Sequence, residues 1–204
     1  MNLFSQSNET PTRRKLDMID AEVYFYDNFF IKNEADKYFS ILTETIKWQQ
    51  DYIKFYGKEV AIPRLQAWYG ESDKPYTYSG IEMQPHPWTK ELLEIKEKIE
   101  KEAKITFTSV LLNLYRTGKD SMSWHADDEK ELGQNPVIGS ISFGEERPFH
   151  FRHKKDKTIK EKILLTNGSL LLVSGETQHH WKHQIPKTTR AIQARINLTF
   201  RVIK

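Results

Sequence analysis

Seven short runs of β-forming residues fill the second half of this 204-residue chain and restrict its fold more than any other feature. Turns rich in Gly, Pro, Asn and charged residues separate the runs. The runs are TSVLLNLYR, VIGSISFG, RPFHFRH, EKILLT, SLLLVSG, HHWKHQIP and AIQARINLTFRVI. Short strands in such regular succession predict a β-sandwich, a barrel or a jelly roll.

The first half adds two helical and two extended segments. Residues 33–48 begin with Asn33, a favourable N-cap residue, and residues 87–104 carry Pro87 near their start; both repeat apolar residues at helical spacing. AEVYFYDNFF and IPRLQAWYG are typical of strands. We therefore predict an α+β, mainly β, fold in which helices precede and flank a β core.

Composition limits what the chain can do. The absence of cysteine excludes disulfides and thiolate ligands, so nitrogen and oxygen atoms would hold any metal. The net charge of +3 is mild and does not by itself indicate nucleic-acid binding, although TRRK and KKDKTIKEK are locally basic. No run approaches the ~18 consecutive apolar residues of a membrane span.

The chain shows no internal repeat and no linker. We expect residues 1–16 to form a flexible polar tail without a secretory signal, and residues 17–204 to form one domain. We also expect an intracellular, cytoplasmic protein. We expect it to be a monomer, because no exposed apolar stripe or heptad pattern stands out.

The stretch MSWHADDEKE follows one of the predicted strands and holds the first candidates for chemistry. His125 and Asp127 are two positions apart, so in an extended chain both side chains project to the same side. For an isolated H-x-D motif, a surface histidine in an acidic turn is the better explanation. A metal site therefore needs a third ligand from elsewhere in the chain.

Five further histidines could supply that ligand: His150, His153, His179, His180 and His183. We favour His183, because the run HWKHQIP alternates toward a strand end that a proline terminates. Two histidines and one carboxylate suit Fe(II) and leave coordination positions open for substrates. Zinc could take the same three ligands, with water completing the site.

The last predicted strand, ARINLTFRVI, has one polar face. Arg195, Asn197, Thr199 and Arg201 alternate with apolar residues, as in any strand with one exposed face. Two arginines with long side chains could nevertheless hold the two ends of a dicarboxylate, because guanidinium groups bind carboxylates bidentately.

Together these motifs resemble a known family. NLYRTGKDSMSWHADDEKE, SISFG, FRHK, WKHQIP and ARINLTFR are similar, in the same order, to motifs of the AlkB family of Fe(II)- and 2-oxoglutarate-dependent dioxygenases, which repair alkylated nucleic acid. The resemblance runs from about Phe55 to Arg201 and is greatest to the branch that acts on duplex DNA. It implies a double-stranded β-helix, that is, a jelly-roll core.

The resemblance also implies residue roles. His125, Asp127 and His183 would be the iron ligands. Residues on two strands would bind 2-oxoglutarate: Asn113, Tyr115, Arg195, Asn197, Thr199 and Arg201. Segments at about residues 50–80 and the loop after Asp127 would recognise the nucleotide, through Tyr56, Gly57, Lys58, Arg64, Tyr76, Tyr78, Asp128 and Glu129.

Within that set, Tyr56 takes the place of an aromatic finger inserted into the base stack, and Tyr78 would stack on a flipped base. The basic run RHKKDKTIKEK resembles a loop that contacts DNA phosphates.

The implied reaction is oxidative demethylation of N-alkylated bases in DNA, such as 1-methyladenine and 3-methylcytosine, which releases succinate, CO₂ and formaldehyde. Three alternatives remain open: the same chemistry on RNA or another substrate, a zinc hydrolase that uses the same three ligands, and a non-catalytic jelly-roll binding module.

Overall fold

A computed structural model describes residues 11–55, 57–71, 76–78, 81–83 and 85–204, with the backbone alone at 55, 76–78 and 81–83. Three helices lie in this part of the chain: Lys32–Thr45 (α1), Lys90–Ala103 (α2) and Thr177–His180 (α3). The strands of the first half are Thr12–Lys15 (β1), Glu22–Asp27 (β2), Tyr52–Phe55 (β3), Lys58–Ala61 (β4), Leu65–Gly70 (β5), Tyr76–Tyr78 (β6) and Ile81–Met83 (β7). Those of the second half are Ser109–Tyr115 (β8), Met122–His125 (β9), Ile138–Gly144 (β10), Arg147–His153 (β11), Lys160–Leu165 (β12), Leu170–Ser174 (β13), Trp181–Ile185 (β14) and Arg195–Arg201 (β15).

Most of the strands form two sheets. The larger has the order β1-β2-β13-β10-β15-β8-β5, and the smaller has the order β12-β11-β14-β9. Neighbouring strands are antiparallel throughout both sheets. Two separate pairs, β3 with β4 and β6 with β7, complete the β structure of the described residues. The chain is mostly β, as predicted, and this arrangement is consistent with a jelly-roll core.

Both faces of the larger sheet are buried, and strand β8 shows how. Leu112 and Leu114 belong to an apolar cluster that includes residues of α1 and α2. Leu111 and Tyr115, which alternate with them, belong to a second cluster that the two sheets share. Because side chains alternate between the faces of a strand, one face of the sheet meets the helices and the other meets the smaller sheet.

Helix α2 shows why these segments become helical. Leu92, Ile95 and Ile99 recur at helical spacing and are fully buried, and each such side chain contributes roughly 1.5–3 kcal/mol on burial. The Thr89 hydroxyl caps the helix by accepting a hydrogen bond from the Leu92 N–H (3.3 Å). The first helical residue is therefore Lys90, rather than one near Pro87.

The start of α1 also differs from the prediction. The helix begins at Lys32, so Asn33 lies within its first turn, and Ile31 precedes it without a side-chain hydrogen bond at the cap. The predicted amphipathic character holds, because Ala35 and Leu42 are fully buried against the larger sheet.

Part of the predicted polar tail is a strand. Thr12–Lys15 pairs with β2 at the edge of the larger sheet, and the guanidinium of Arg13 lies 4.2 Å from the centre of the Tyr24 ring. Backbone pairing and cation–π contact therefore hold this basic segment although its side chains are exposed. Among the described residues, no helix has the length and apolar character needed to span a membrane.

Candidate active site

The three predicted metal ligands come together between the two sheets. His125 ends β9, Asp127 follows two residues later, and His183 lies in the middle of β14. Strands β9 and β14 are neighbours, and their register sets His183 directly opposite His125. His125 and His183 are 58 residues apart in the chain, and the pairing of their strands brings His183 to the other two ligands, His125 and Asp127.

The distances suit a single cation. The Nε2 atoms of His125 and His183 are 3.1 Å apart. The Asp127 carboxylate lies 3.8 Å from the first of these nitrogens and 3.9 Å from the second. Ligands about 2.1 Å from a metal and at right angles to each other are roughly 3 Å apart, so small movements would bring all three onto one ion.

A backbone contact fixes which nitrogen of His125 faces the site. Its Nδ1 lies 2.8 Å from the carbonyl oxygen of Ser123. Since a carbonyl can only accept a hydrogen bond, Nδ1 carries the hydrogen and Nε2 keeps a free lone pair. Such a contact is typical of histidines that bind metals.

Asp127 is held as an anion in a buried position. Arg201 Nη2 donates to its Oδ1 at 2.7 Å, and both side chains are almost inaccessible to solvent. Burial alone would raise the pKa of the Asp127 carboxyl, but Arg201, His183 and His125 together lower it below its usual value. The Asp127 N–H donates to the side-chain oxygen of Gln178 (3.0 Å), which fixes the loop after β9.

The histidines are held neutral. Burial, together with nearby His125, lowers the pKa of His183 to about 3, although Asp127 opposes the shift. Burial likewise lowers the pKa of His125. The Phe149 ring stacks on the His183 imidazole with centres 5.1 Å apart. Both imidazoles are thus unprotonated at neutral pH, as metal ligation requires.

The polar face of β15 points into the same pocket. Arg195, Asn197, Thr199 and Arg201 all line it together with the three ligands, and every residue of β15 is buried. Asn197 Nδ2 donates to the Ser140 hydroxyl (2.8 Å), and the Thr199 hydroxyl donates to Asn197 Oδ1 (3.1 Å). The alternation of this strand therefore reflects two buried faces rather than one exposed face.

Arg195 lies at the far end of β15 from Arg201. Its Nη2 donates to the Ser142 hydroxyl at 2.9 Å, whereas its Nε and Nη1 are buried without a hydrogen-bond acceptor among the described residues. Burial lowers the pKa of Arg195 to about 10, an effect that neighbouring Tyr115 opposes, so the guanidinium is still charged at neutral pH. A buried cation with two unused donors is suited to an anionic ligand.

Asn113 lines the pocket on β8, but its carbonyl oxygen is already engaged. It accepts hydrogen bonds from Arg64 Nε (2.7 Å) and Gln66 Nε2 (3.0 Å) on the neighbouring segment. Both donors are buried, and Arg64 also reaches the Ser121 carbonyl. Arg64, predicted to contact the substrate, is buried here and orients the Asn113 side chain through the hydrogen bond from its Nε.

A comparison of the sequence with known protein families identifies the family of this chain. The 2OG-Fe(II) oxygenase superfamily matches residues 22–201. The chain belongs to this superfamily. Membership implies Fe(II), 2-oxoglutarate and O₂ as cofactor and cosubstrates, and the His125, Asp127 and His183 cluster could bind the iron.

Relatives identify the AlkB family within the superfamily. The chain is 43% identical over 192 residues to "Alpha-ketoglutarate-dependent dioxygenase alkB homolog 3" of Mus musculus, covering 90% of this chain and 66% of that protein. It is 36% identical over 188 residues to "DNA oxidative demethylase ALKBH2" of Mus musculus, covering 87% of this chain and 79% of that protein. The chain therefore spans slightly less than two thirds of homolog 3. These identities do not single out the ALKBH2 branch.

A solved structure shares the fold. "The structure of OsALKBH1" superposes with a TM-score of 0.65 over 94% of this chain and 100% of that one, at 14% sequence identity. The predicted membership of the AlkB family is thus confirmed by sequence, and the structural likeness is consistent with the predicted jelly-roll core.

The donor set fits the iron of this family. Two imidazole nitrogens and one carboxylate oxygen are the ligands of non-haem Fe(II) oxygenases, and the same chain provides Arg195, whose buried donors suit one carboxylate of 2-oxoglutarate. A zinc hydrolase would use the three ligands but leaves the buried charge of Arg195 unexplained.

The predicted nucleotide-recognition residues are only partly described. Gly57 is the left-handed turn residue (φ 76°) between β3 and β4, and exposed Lys58 begins β4. Tyr56 lies outside the described residues, and the side chains of Tyr76 and Tyr78 on β6 also lie outside them.

Beside the metal ligands, Asp128 is exposed and its carboxylate accepts a hydrogen bond from Lys154 Nζ at 2.9 Å. Glu129 is half-buried at the start of a 3₁₀ turn, Lys130–Leu132. Lys154 begins the basic run after β11, so the start of that run lies beside the loop that carries Asp127.

Another group of ligand-type side chains lies elsewhere. His153 and His180 stand close to Asp20, with His153 Nε2 3.7 Å from the carboxylate. However, His153 Nδ1 accepts a hydrogen bond from the Asp156 N–H (3.2 Å), so its hydrogen is on Nε2 and points toward Asp20. An Nε2 that carries a hydrogen cannot ligate a metal, so this arrangement does not suit metal binding through His153, and at 3.7 Å that nitrogen is also too far from the Asp20 carboxylate to form a hydrogen bond.

Sequence reasoning missed four polar residues of the site: Gln66, Ser140, Ser142 and Gln178. The two serines alternate within SISFG, and β10 pairs with β15 so that Ser140 is opposite Thr199 and Ser142 is opposite Asn197. Polar residues at alternate positions of two strands could have indicated a shared polar face. No local signal marks Gln178, which acts from the short helix α3.

Proposed function

We propose that the chain is an Fe(II)- and 2-oxoglutarate-dependent oxidative demethylase of N-alkylated bases in DNA, with 1-methyladenine and 3-methylcytosine as substrates. The observation that carries this proposal is the pairing, in one pocket, of the two-histidine, one-carboxylate cluster with the buried guanidinium of Arg195. The name of the ALKBH2 relative, a DNA oxidative demethylase, supports DNA as the substrate. We further propose that the enzyme acts inside the cell as a monomer.

The cosubstrate would lie along β15. Arg195 would receive the distal carboxylate, with the Tyr115 hydroxyl and the amide of Asn113 as further partners. Arg201 lies at the metal end of the strand, where its contact with Asp127 keeps that carboxylate ionised for the metal. Asn197 and Thr199 would form the wall between the two arginines.

Bound iron would supply the oxidation: 2-oxoglutarate and O₂ become succinate and CO₂ while one oxygen atom hydroxylates the N-methyl group, which then leaves as formaldehyde. The chain contributes position and environment. His125, Asp127 and His183 would hold the metal on one side, and the apolar cluster between the two sheets lines the pocket and would exclude bulk water. No side chain of the cluster needs to act as an acid or a base.

The nucleotide would enter past the loop after β9. Tyr78 would stack on the flipped base, Tyr56 would fill the gap in the base stack, and Tyr76, Asp128 and Glu129 would contact the polar edge of the base. Gly57 and Lys58, in an exposed hairpin, would contact the backbone, as would the basic run near Lys154.

The decisive test is the colour of the metal chelate. Adding Fe(II) and 2-oxoglutarate to the protein without oxygen should produce the charge-transfer band of a metal-bound keto acid, and Asp127→Asn should abolish it because a neutral amide is a poor ligand. Asp128→Asn is the matched control, since this neighbouring carboxylate is exposed and outside the ligand set. A wild-type protein without the band, or Asp127→Asn with a full band, refutes the proposal.

RNA is the second candidate substrate. The name of homolog 3, to which the chain is 43% identical, specifies neither DNA nor RNA, so this relative leaves RNA open beside DNA. Formaldehyde release from methylated duplex DNA, single-stranded DNA and RNA, compared at equal substrate concentration, decides between the substrates.

A further inference from the structure

A second buried arginine lies behind the pocket and has no place in the function proposed above. Arg147, the first residue of β11, is 1% exposed. Its guanidinium carbon lies 5.8 Å from the centre of the Tyr115 ring, and that of Arg195 lies 5.3 Å from the same centre. The two cations thus share one aromatic ring.

Neither guanidinium has a carboxylate partner among the described residues. Asp120 and Glu145 are close enough to influence Arg147, but the Asp120 carboxylate is bound by Arg116 Nε (2.8 Å) and Nη2 (3.1 Å). Arg147 Nη2 instead donates to two backbone carbonyls, those of Asp120 (3.1 Å) and Pro186 (2.6 Å). Its Nε is buried without an acceptor.

The result is an excess of buried positive charge at one end of the pocket. At the other end, the charge of Arg201 is offset by Asp127. Burying unpaired cations is costly, so a site that keeps two of them is suited to an anion that completes it. Of Arg147 and Arg195, only Arg195 lines the pocket, so Arg147 can influence a bound anion only through the Tyr115 ring and through its charge.

We infer that Arg147 is a positioning residue that makes the pocket selective for keto acids with a distal carboxylate. It orients the Tyr115 ring by cation–π contact, and it adds a second positive charge behind Arg195. This inference rests on the proposed function, because it concerns the acid end of the same cosubstrate.

The test compares two keto acids that differ at one end. 2-Oxopentanoate has a methyl group where 2-oxoglutarate has its distal carboxylate, while the metal-chelating end is the same. Calorimetric titration of the Mn(II)-loaded protein without oxygen measures binding of each without turnover. The quantity of interest is the ratio of the two dissociation constants.

We expect wild-type protein to prefer 2-oxoglutarate and Arg147→Met to reduce that preference about tenfold, the effect of one poorly screened charge. Arg147→Lys keeps the charge and should retain the preference within about threefold. Arg190→Met, at an exposed position, is the control and should change neither constant.

A purely structural role predicts that Arg147→Met weakens both keto acids equally, and that result overturns the inference. An Arg147→Lys protein whose preference for 2-oxoglutarate falls about tenfold also overturns the inference. The lysine variant therefore keeps the test decisive even if the methionine variant does not fold. If wild-type protein binds neither keto acid, the proposed function itself fails, and the two failures are therefore distinguishable.

Discussion

Replacing Arg201 with methionine should destabilise the metal-free protein by about 3–5 kcal/mol at neutral pH, because it leaves Asp127 as a buried charge without its main partner. The pair is short, 2.7 Å, and the side chains are only 3% and 5% exposed, so water cannot replace the lost contact. For a domain of this size the loss corresponds to a melting temperature lower by on the order of 10 °C.

The loss should depend on pH in a defined direction. In the wild-type protein the pKa of Asp127 is lowered from 3.8, so its stabilising contribution is present above about pH 4 and disappears as the pH falls through the folded-state pKa. Without Arg201, burial dominates and raises the Asp127 pKa, although His125 and His183 still face the carboxylate. The variant therefore becomes less stable as the pH rises, and its difference from wild type widens.

Urea unfolding of both proteins, stripped of metal, at about pH 4 and about pH 7.5 measures this difference. Arg201→Met in an Asp127→Asn background is the control, since the neutral amide removes the titration of the carboxylate and should leave only the smaller pH dependence that arises from His125 and His183, whose pKa values Arg201 lowers. An equal loss at both pH values in the Asp127 background would refute the reasoning, because packing rather than charge would then account for it.

Two further predictions concern the scaffold. Thr89→Ala should lower the free energy of unfolding by about 1 kcal/mol by removing the cap of α2, whereas Thr89→Ser should retain it; urea unfolding measures both. Gly168→Ala should cost several times more than Gly57→Ala. Both glycines have positive φ (81° and 76°), but an added Cβ at Gly168 would lie 2.2 Å from a backbone carbonyl oxygen and at Gly57 would meet nothing within 4 Å. Equal losses in thermal unfolding would contradict this.

The strands and the metal ligands could be predicted because their signals are local or strongly patterned. Each of the seven β runs overlaps a strand of the structure, because short alternating or apolar runs bounded by turns favour strands. His125 and Asp127 are a local motif, and His183 was selected by its place in an alternating strand. Helix α3 was missed because His179 and His180 continue the apparent strand pattern of HHWKHQIP.

Long-range hydrogen bonds could not be predicted, because sequence does not contain the register between distant strands. Arg64 was expected to meet the substrate, yet the pairing of β5 with β8 directs it to Asn113. The contact of Gln178 with the Asp127 backbone also joins segments that are far apart in the chain. The identity of such residues indicates polarity alone, and the fold determines whether that polarity faces water or a buried partner.

Strand β15 shows most clearly how the fold converts pattern into function. Its alternation is the same as that of a half-exposed strand, but β15 lies between β10 and β8 in the larger sheet, and the smaller sheet covers its polar face. Buried polar groups without partners are costly, so this face is stable only if each group meets another polar atom. Asn197 and Thr199 do so within the protein, and the charge of Arg201 is offset by Asp127. Arg195 has no carboxylate partner among the described residues, so the unbalanced positive charge lies at one end of the pocket, and a diacid bound with its other end at the metal would neutralise it.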